Sequence, residues 1–353
     1  MKDTYKIGNR IIGEGNPCFI IGELSCNHNG DYDIAVETVK AMHAAGVDCL
    51  KLQTSKPGSI TINSTKTDFI ISGGTLWDNK SLFDLYTETH TPWEWHKPLQ
   101  ELAFSLGMEF FSSPFDHEAV EFLEELNVPA YKIASFEITD IPLIEHAASK
   151  GKPIIMSTGI ATENDIFEAV EACRRMGNNQ IILLKCTSSY PTSLEEVNLN
   201  AIPLLRDKFN VQVGLSDHTL GYIVPLGAVI LGACIIEKHF ILDRNQGGPD
   251  ASFSMTPDEF KLMISNIRDT EKALGVASLE LSEKSKTNRN FARSLYVISD
   301  VNEGEIFTSE NIKSIRPGFG LSPKYLKQLI GKKAKTNIER GTPLSWKLVE
   351  GNN

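Results

Sequence analysis

The chain has 353 residues, 41% of them hydrophobic, and carries a net charge of −10 at neutral pH. That length exceeds one small domain and suits a large domain joined to a small one. The acidic balance excludes a general nucleic-acid binder, so an anionic ligand must be held by a few local cations and by hydroxyl or backbone donors. The opening M-K-D-T-Y-K-I-G-N-R has no apolar segment of secretory type. The longest apolar run, residues 223–236, is broken by Pro225 and is too short to span a bilayer. Six cysteines with no C-x-x-C spacing read as small buried hydrophobes, which points to a reducing cytosol.

Y-K-I-G-N-R-I-I-G-E-G predicts a small hairpin turning at Gly8-Asn9. A rhythm then sets in: an apolar β-type run ends in polar residues, a helix-period segment follows, and the cycle restarts. Eight such runs cover residues 19–23, 49–53, 109–113, 131–135, 154–157, 181–187, 211–216 and 233–238. Helical segments are expected at 34–45, 93–106, 119–126, 142–150, 163–176, 201–208 and 222–231. Strands alternating with helices imply a parallel sheet with right-handed crossovers. Eight repeats over roughly 250 residues fit a closed (β/α)8 TIM barrel better than an open sheet. The rival, a doubly wound sheet, would carry a glycine-rich phosphate loop after its first strand, where E-L-S-C-N-H-N-G stands instead. The insertion at 54–91 is expected to form a lid or substrate loop.

A helix over 257–274, stopped by Gly275, closes a barrel domain of residues 1–280. A polar linker, 281–290, leads to a β-rich module at 291–353. That module repeats itself weakly: V-N-E-G-E-I-F (301–307) echoes I-E-R-G-T-P-L (338–344), as in a small fold of two similar halves.

A TIM barrel carries its active site at the C-terminal strand ends. The polar residues ending the runs are Glu23, then Lys51 with Gln53, then Ser112 and Ser113, then Lys132, Ser135 and Glu137. Ser157 and Thr158 follow, then Thr187, Ser188 and Tyr190, then Ser216, Asp217 and His218, and finally Glu237, Lys238 and His239. Two histidines at neighbouring strand ends suit a divalent metal, for which imidazole is the commonest nitrogen ligand. Two lysines aimed at one point repel unless an anion lies between them, and hydroxyls donate to oxyanions. The pattern points to a small phosphate- or carboxylate-bearing substrate beside a metal. The bland alternatives are a structural salt bridge for each lysine, with Glu23 as a buried partner of Lys51, and turn formation for each serine. Glu237 and Lys238 precede His239 on alternating faces, so one of them points away from the barrel. In H-T-P-W-E-W-H-K-P-L, Trp93 and Trp95 suit the start and packing of a helix; Trp77 in G-G-T-L-W-D suits either local packing or a sugar.

G-E-L-S-C-N-H-N-G-D, K-L-Q-T, F-S-S-P-F-D, Y-K-I-A-S-F-E, K-C-T-S-S-Y-P, G-L-S-D-H-T, E-K-H-F and G-G-P-D together resemble the sialic acid synthase family over nearly the whole chain. R-S-L-Y-V … E-G-E … S-I-R-P-G-F-G resembles the antifreeze-like (SAF) module that follows the barrel in that family. The resemblance implies condensation of phosphoenolpyruvate with an open-chain amino sugar, releasing phosphate. The Trp77 loop and the Trp93 segment resemble the branch that uses 2,4-diacetamido-2,4,6-trideoxy-altrose; another branch uses N-acetylmannosamine. By the same resemblance, Lys51, Ser113, Lys132, Ser135, Ser157, Ser188 and Ser216 correspond to phosphoenolpyruvate-binding positions. His218 and His239 correspond to ligands of a divalent metal (Mn2+, Mg2+ or Co2+). Glu137, Tyr190 and Asp250 correspond to positions near the sugar, with Gln53 close by and Glu23 as base or water-orienting group. Arg316 corresponds to an arginine that the SAF module of one subunit offers its partner, which implies a homodimer. Competing readings are a ketodeoxy sugar-phosphate synthase, which would need a second phosphate pocket, and a noncatalytic sugar- or ice-binding protein.

Overall fold

Apolar runs separated by capped helices fold here into alternating strands and helices. The computed structural model describes residues 4–72, 74 and 76–351. The hairpin is formed by β1 (Tyr5–Ile7) and β2 (Arg10–Ile12), paired antiparallel. Eight parallel strands follow: β3 (Phe19–Glu23), β4 (Cys49–Thr54), β5 (Glu109–Pro114), β6 (Tyr131–Ile133), β7 (Ile154–Ser157), β8 (Ile181–Cys186), β9 (Gln212–Asp217) and β10 (Ile235–His239). They close in sequence order, β10 pairing with β3, into the expected barrel. β6 is shorter than its sequence implies: the chain turns after Ile133, and Ser135 lies in a 3-10 turn, Ser135–Glu137.

Helix α1 (Tyr32–Ala45) shows why the helices form where they do. Asp31 accepts from the backbone N–H of Asp33 at 2.8 Å and of Ile34 at 3.3 Å, satisfying donors the helix leaves open. Gly46, at φ 91°, ends the helix in a left-handed conformation that a side chain would strain. Ala35, Thr38, Val39, Met42 and Ala45 form its buried stripe. Between them, strands and helices bury side chains such as Phe110, Phe111, Ile155, Leu183 and Phe260 completely. Each contributes about 1.5–3 kcal/mol relative to exposure.

At the opposite end from the strand tips, the hairpin packs on the barrel. Asn9 N–H donates to Glu109 Oε1 at 2.7 Å, and a Cβ at Gly8, whose φ is 57°, would fall 1.8 Å from Glu109 Oε2 and push that carboxylate out of its contact. The 54–91 insertion is more ordered than a plain loop: it holds helices α2 (Pro57–Ile60) and α3 (Leu82–Thr89). The remaining barrel helices are α4 (His96–Ser105), α5 (His117–Glu125), α6 (Ile141–Ala148), α7 (Glu163–Arg175), α8 (Ala201–Phe209), α9 (Ile223–Ile230) and α10 (Pro257–Leu274). A 3-10 turn, Trp93–Trp95, precedes α4; Trp93 stacks on Phe122 at 4.6 Å and Trp95 meets His28 edge-on, so both tryptophans pack.

The chain divides into two units, Met1–Gly275 and Val276–Asn353. In the second, a helix, α11 (Glu283–Asn288), lies within the stretch read as linker. β11 (Ser294–Val297) and β12 (Ile312–Ile315) pair antiparallel. The two echoing segments meet each other: Val301 N–H donates to Ile338 O at 2.9 Å and Ile338 N–H to Val301 O at 2.8 Å. Gly304 and Gly341 both take positive φ, while Val301, Phe307, Ile338 and Leu344 are all buried. The second unit has its own apolar core.

Candidate active site

Pairing in the barrel fixes which side chains point inward. Lys238 lies opposite Gly22 and Asp217 in the ladder, while Glu237 lies opposite Ile21 and Ser216, and His239 opposite Glu23. Because successive strand residues alternate faces, Glu23, Lys51, Gln53, Ser113, Lys132, Ser157, Ser216, Glu237 and His239 face the interior. Lys238 and Asp217 face the helices.

At the C-terminal ends this interior opens into a cavity of about 420 Å3. Among the residues expected at the site, it is lined by Glu23, Lys51, Gln53, Lys132, Ser135, Glu137, Ser157, Tyr190, Ser216, His218, His239 and Asp250. Ser113 and Ser188 are not among the residues that line it, and each has a buried Oγ without a hydrogen-bond partner among the described residues. Arg316 belongs to the second unit. The lid contributes an apolar wall of Ile71, Leu82 and Leu85, with Trp77 packed against Tyr190 at 5.7 Å between ring centroids.

The floor is a charge cluster. Lys51 pairs with Glu23 and, at 2.9 Å, with Glu237 Oε1. Lys132 Nζ lies 3.8 Å from the same Glu237 oxygen and donates to Ser157 Oγ at 2.7 Å and Ile133 O at 3.0 Å. Ser216 Oγ donates to Glu237 Oε1 at 3.0 Å. The anion between the lysines is the chain's own Glu237, and the salt-bridge reading of Lys51 and Glu23 holds as well. Burial alone would raise the Glu237 pKa, but Lys132 and Lys51 outweigh it and hold the carboxyl well below the usual range. Burial lowers Lys51 to about 8, against the pull of Glu237. Glu137 is raised to about 7 by burial, with Lys132 opposing.

Beside this cluster stand the two imidazoles, with ring centroids 5.3 Å apart. His218 Nδ1 faces Thr187 O at 3.2 Å; donating there, it leaves its Nε2 lone pair available. His239 Nδ1 is buried without a hydrogen bond; Asp250 Oδ2 lies 3.4 Å away and already accepts from Ser25 Oγ at 2.6 Å. Burial pushes His239 toward the neutral form. Among the described residues no group of three His, Cys, Asp or Glu is arranged to enclose a metal ion. Two imidazoles, one with an unmatched ring nitrogen, fit an ion that takes its remaining ligands from water and substrate.

Ser25, Cys186 and Phe253 also line the cavity and were not singled out from sequence, and Glu237, read there as the end of its run but given no role, lines it too. Glu237 was legible: it lies two residues before His239 and so shares its face. Ser25 and Phe253 come from loops whose course no periodicity reveals. His28 has a structural role, its Nε2 3.2 Å from Thr91 Oγ1 in a buried contact. All six cysteines are free and buried. No helix among the described residues is long and apolar enough to cross a membrane.

Comparison with known proteins accords with this geometry. Residues 38–278 match the NeuB family and residues 292–350 the SAF domain. The chain is 50% identical to the pseudaminic acid synthase of Campylobacter jejuni subsp. jejuni serotype O:23/36 (strain 81-176) over 339 residues, 96% of this chain and 98% of that protein. It is 48% identical to the pseudaminic acid synthase of Helicobacter pylori (strain ATCC 700392 / 26695), over 95% of this chain and 98% of that one. Among solved structures, the N-acetylneuraminic acid (sialic acid) synthetase of Leptospira borgpetersenii serovar Hardjo-bovis, in complex with citrate, superposes with a TM-score of 0.73. It is 31% identical and covers 82% of this chain and 95% of its own.

Proposed function

The chain belongs to the NeuB family, and from that premise we propose that it condenses phosphoenolpyruvate with 2,4-diacetamido-2,4,6-trideoxy-altrose. The products are the nonulosonic acid, pseudaminic acid, and inorganic phosphate. The observation that carries this reading is the convergence of Lys51, Lys132, His218 and His239 on one cavity, with buried polar atoms of Ser113, Ser188, Glu137 and Glu237 still lacking hydrogen-bond partners.

Lys51 and Lys132, with the hydroxyls of Ser135, Ser157 and Ser216, hold the phosphate and carboxylate of phosphoenolpyruvate and so fix its enol carbon. A divalent metal ion (Mn2+, Mg2+ or Co2+) on His218 and His239 would act as a Lewis acid toward the sugar's carbonyl. Glu137, Tyr190, Gln53 and Asp250 orient the sugar, so that the enol carbon bonds to its carbonyl carbon. The adjacent phosphoenolpyruvate carbon, left electron-poor, takes up water directed by Glu23. Glu23 takes a proton from that water and returns it to the former carbonyl oxygen of the sugar, which becomes a hydroxyl; the resulting tetrahedral centre expels phosphate by C–O cleavage, its own hydroxyl proton passing to the leaving phosphate as the keto group forms. The apolar lid wall suits a sugar with a methyl at C6 and two acetyl methyls better than a fully hydroxylated one.

Cytoplasmic operation as a homodimer, with Arg316 offered to a partner's barrel, completes the proposal. Its test is to supply the full-length protein with phosphoenolpyruvate, Mn2+ and either the trideoxy sugar or N-acetylmannosamine, reading product mass. The trideoxy sugar should be turned over with the higher kcat/KM. Preference for N-acetylmannosamine would assign another branch, and no phosphate with either sugar would favour a noncatalytic binder.

A further inference from the structure

Each imidazole of the proposed metal site follows directly after a charged residue that points the other way: Asp217 precedes His218, and Lys238 precedes His239. The two are partners in the β9–β10 ladder, and both face the helix layer. On Lys238's other flank stands Gly22, where a Cβ would come within 3.0 Å of Met42 Sδ, so no side chain competes for the space. Lys238 Nζ donates to Asp217 Oδ2 at 2.6 Å and to Thr219 O at 2.6 Å. Asp217 in turn accepts from Thr219 N–H on Oδ1 at 3.0 Å and from Thr219 Oγ1 on Oδ2 at 3.0 Å. One ammonium, rooted in the residue before His239, thus grips the chain on both sides of His218.

We propose that Lys238 and Asp217 are positioning residues that set the separation and tilt of the two imidazoles for metal binding; this rests on the metal reading above. The pair is fully enclosed, with side-chain exposures of 0% and 2%. Burying two charges is costly, and replacing such a pair with apolar groups is often neutral or stabilising. Outward-facing neighbours in the ladder such as Leu50, Phe110, Leu215 and Ile236 are apolar. What the ion pair adds is direction. It tethers the 217–219 turn to β10, while the Thr187 carbonyl at 3.2 Å from Nδ1 fixes the remaining rotation of the His218 ring. Partners of this kind, one shell out from a metal, typically govern 10–100-fold in affinity.

The test compares wild type with Lys238→Met/Asp217→Asn, which removes both charges together so that neither is left buried alone, and with Lys238→Met. Mn2+ titration by calorimetry on the full-length protein should show affinity about 10–100-fold weaker in the double variant, with kcat reduced by at least tenfold. KM for phosphoenolpyruvate, whose contacts lie on the other face, should stay within about threefold. A double variant that keeps wild-type Mn2+ affinity and kcat while only its melting temperature moves overturns the proposal, whether or not Lys238→Met folds. Should wild type take up no Mn2+, the metal reading fails separately. The clamp is then decided by 15N-histidine spectra of the metal-free protein. Loss of the protected His218 Nδ1–H resonance in the double variant supports it, and an unchanged resonance overturns it.

Discussion

Lys51 and Lys132 share one carboxylate oxygen: Glu237 Oε1 lies 2.9 Å from the first ammonium and 3.8 Å from the second. Lys51 and Lys132 balance Glu23 and Glu237 in formal charge, so an anion entering this cavity would meet lysines already paired. On the proposed reading, phosphoenolpyruvate would displace part of the Glu237 contact or draw on the serine hydroxyls and a bound metal ion to offset its charge.

Glu237→Gln tests this arrangement. It leaves two buried ammonium groups without their shared counter-charge, a change worth about 3–5 kcal/mol in comparable buried pairs. The variant should melt several degrees below wild type in plain buffer and regain more stability than wild type when inorganic phosphate is added. Equal phosphate stabilisation in both proteins would show that the lysines do not meet the anion.

Glu137 gives a pH prediction. Burial raises its pKa from the usual 4.5 to about 7. A carboxyl whose folded pKa is raised contributes stability that is fully present below about 4.5 and is lost as pH rises through about 7. The swing is on the order of 3 kcal/mol before solvent screening. Urea midpoints of the metal-free protein at pH 5 and pH 8 should therefore differ more in wild type than in Glu137→Gln; identical differences would contradict the shift.

Trp77 packs against Tyr190, which lies 4.5 Å from the His218 ring. Trp77→Ala removes part of the lid's wall over the sugar side while leaving the lysine cluster intact. KM for the amino sugar should rise about 5–30-fold, the equivalent of roughly 1–2 kcal/mol of aromatic contact. KM for phosphoenolpyruvate should stay near its wild-type value; a rise in that constant instead would move Trp77 to the other substrate.

His239→Ala removes one of the two imidazoles proposed to hold the metal. Turnover should fall by at least a thousandfold with the circular dichroism spectrum unchanged, since the ring faces the cavity and not the helix layer. Near-normal activity would overturn the metal assignment.

The barrel was legible because each strand ends abruptly in polar residues, and eight such stops recur at helix-sized intervals. Six of the expected strands, at 19–23, 49–53, 109–113, 131–135, 154–157 and 181–187, begin where β3 to β8 begin. The site residues were legible for the same reason, since strand tips of a closed barrel must converge. What the sequence could not disclose was pairing across the barrel. Glu23 and Glu237 lie at opposite ends of the barrel sequence, and only closure of β10 onto β3 places both beside Lys51. Likewise Ser135 was read as strand because Y-K-I-A-S is apolar to its end, whereas the chain turns after Ile133 to aim Glu137 into the cavity. The purpose of Lys238 lay hidden behind its more conspicuous neighbour.

The most direct measurement of the central claim uses phosphoenolpyruvate labelled with 18O in its bridging C–O–P oxygen, mixed with the full-length protein, Mn2+ and the trideoxy sugar. If water attacks the former enol carbon in the cavity floored by Lys51 and Lys132, every label leaves with inorganic phosphate and the new sugar acid carries none. Label retained in the sugar acid, or no phosphate at all, would contradict it.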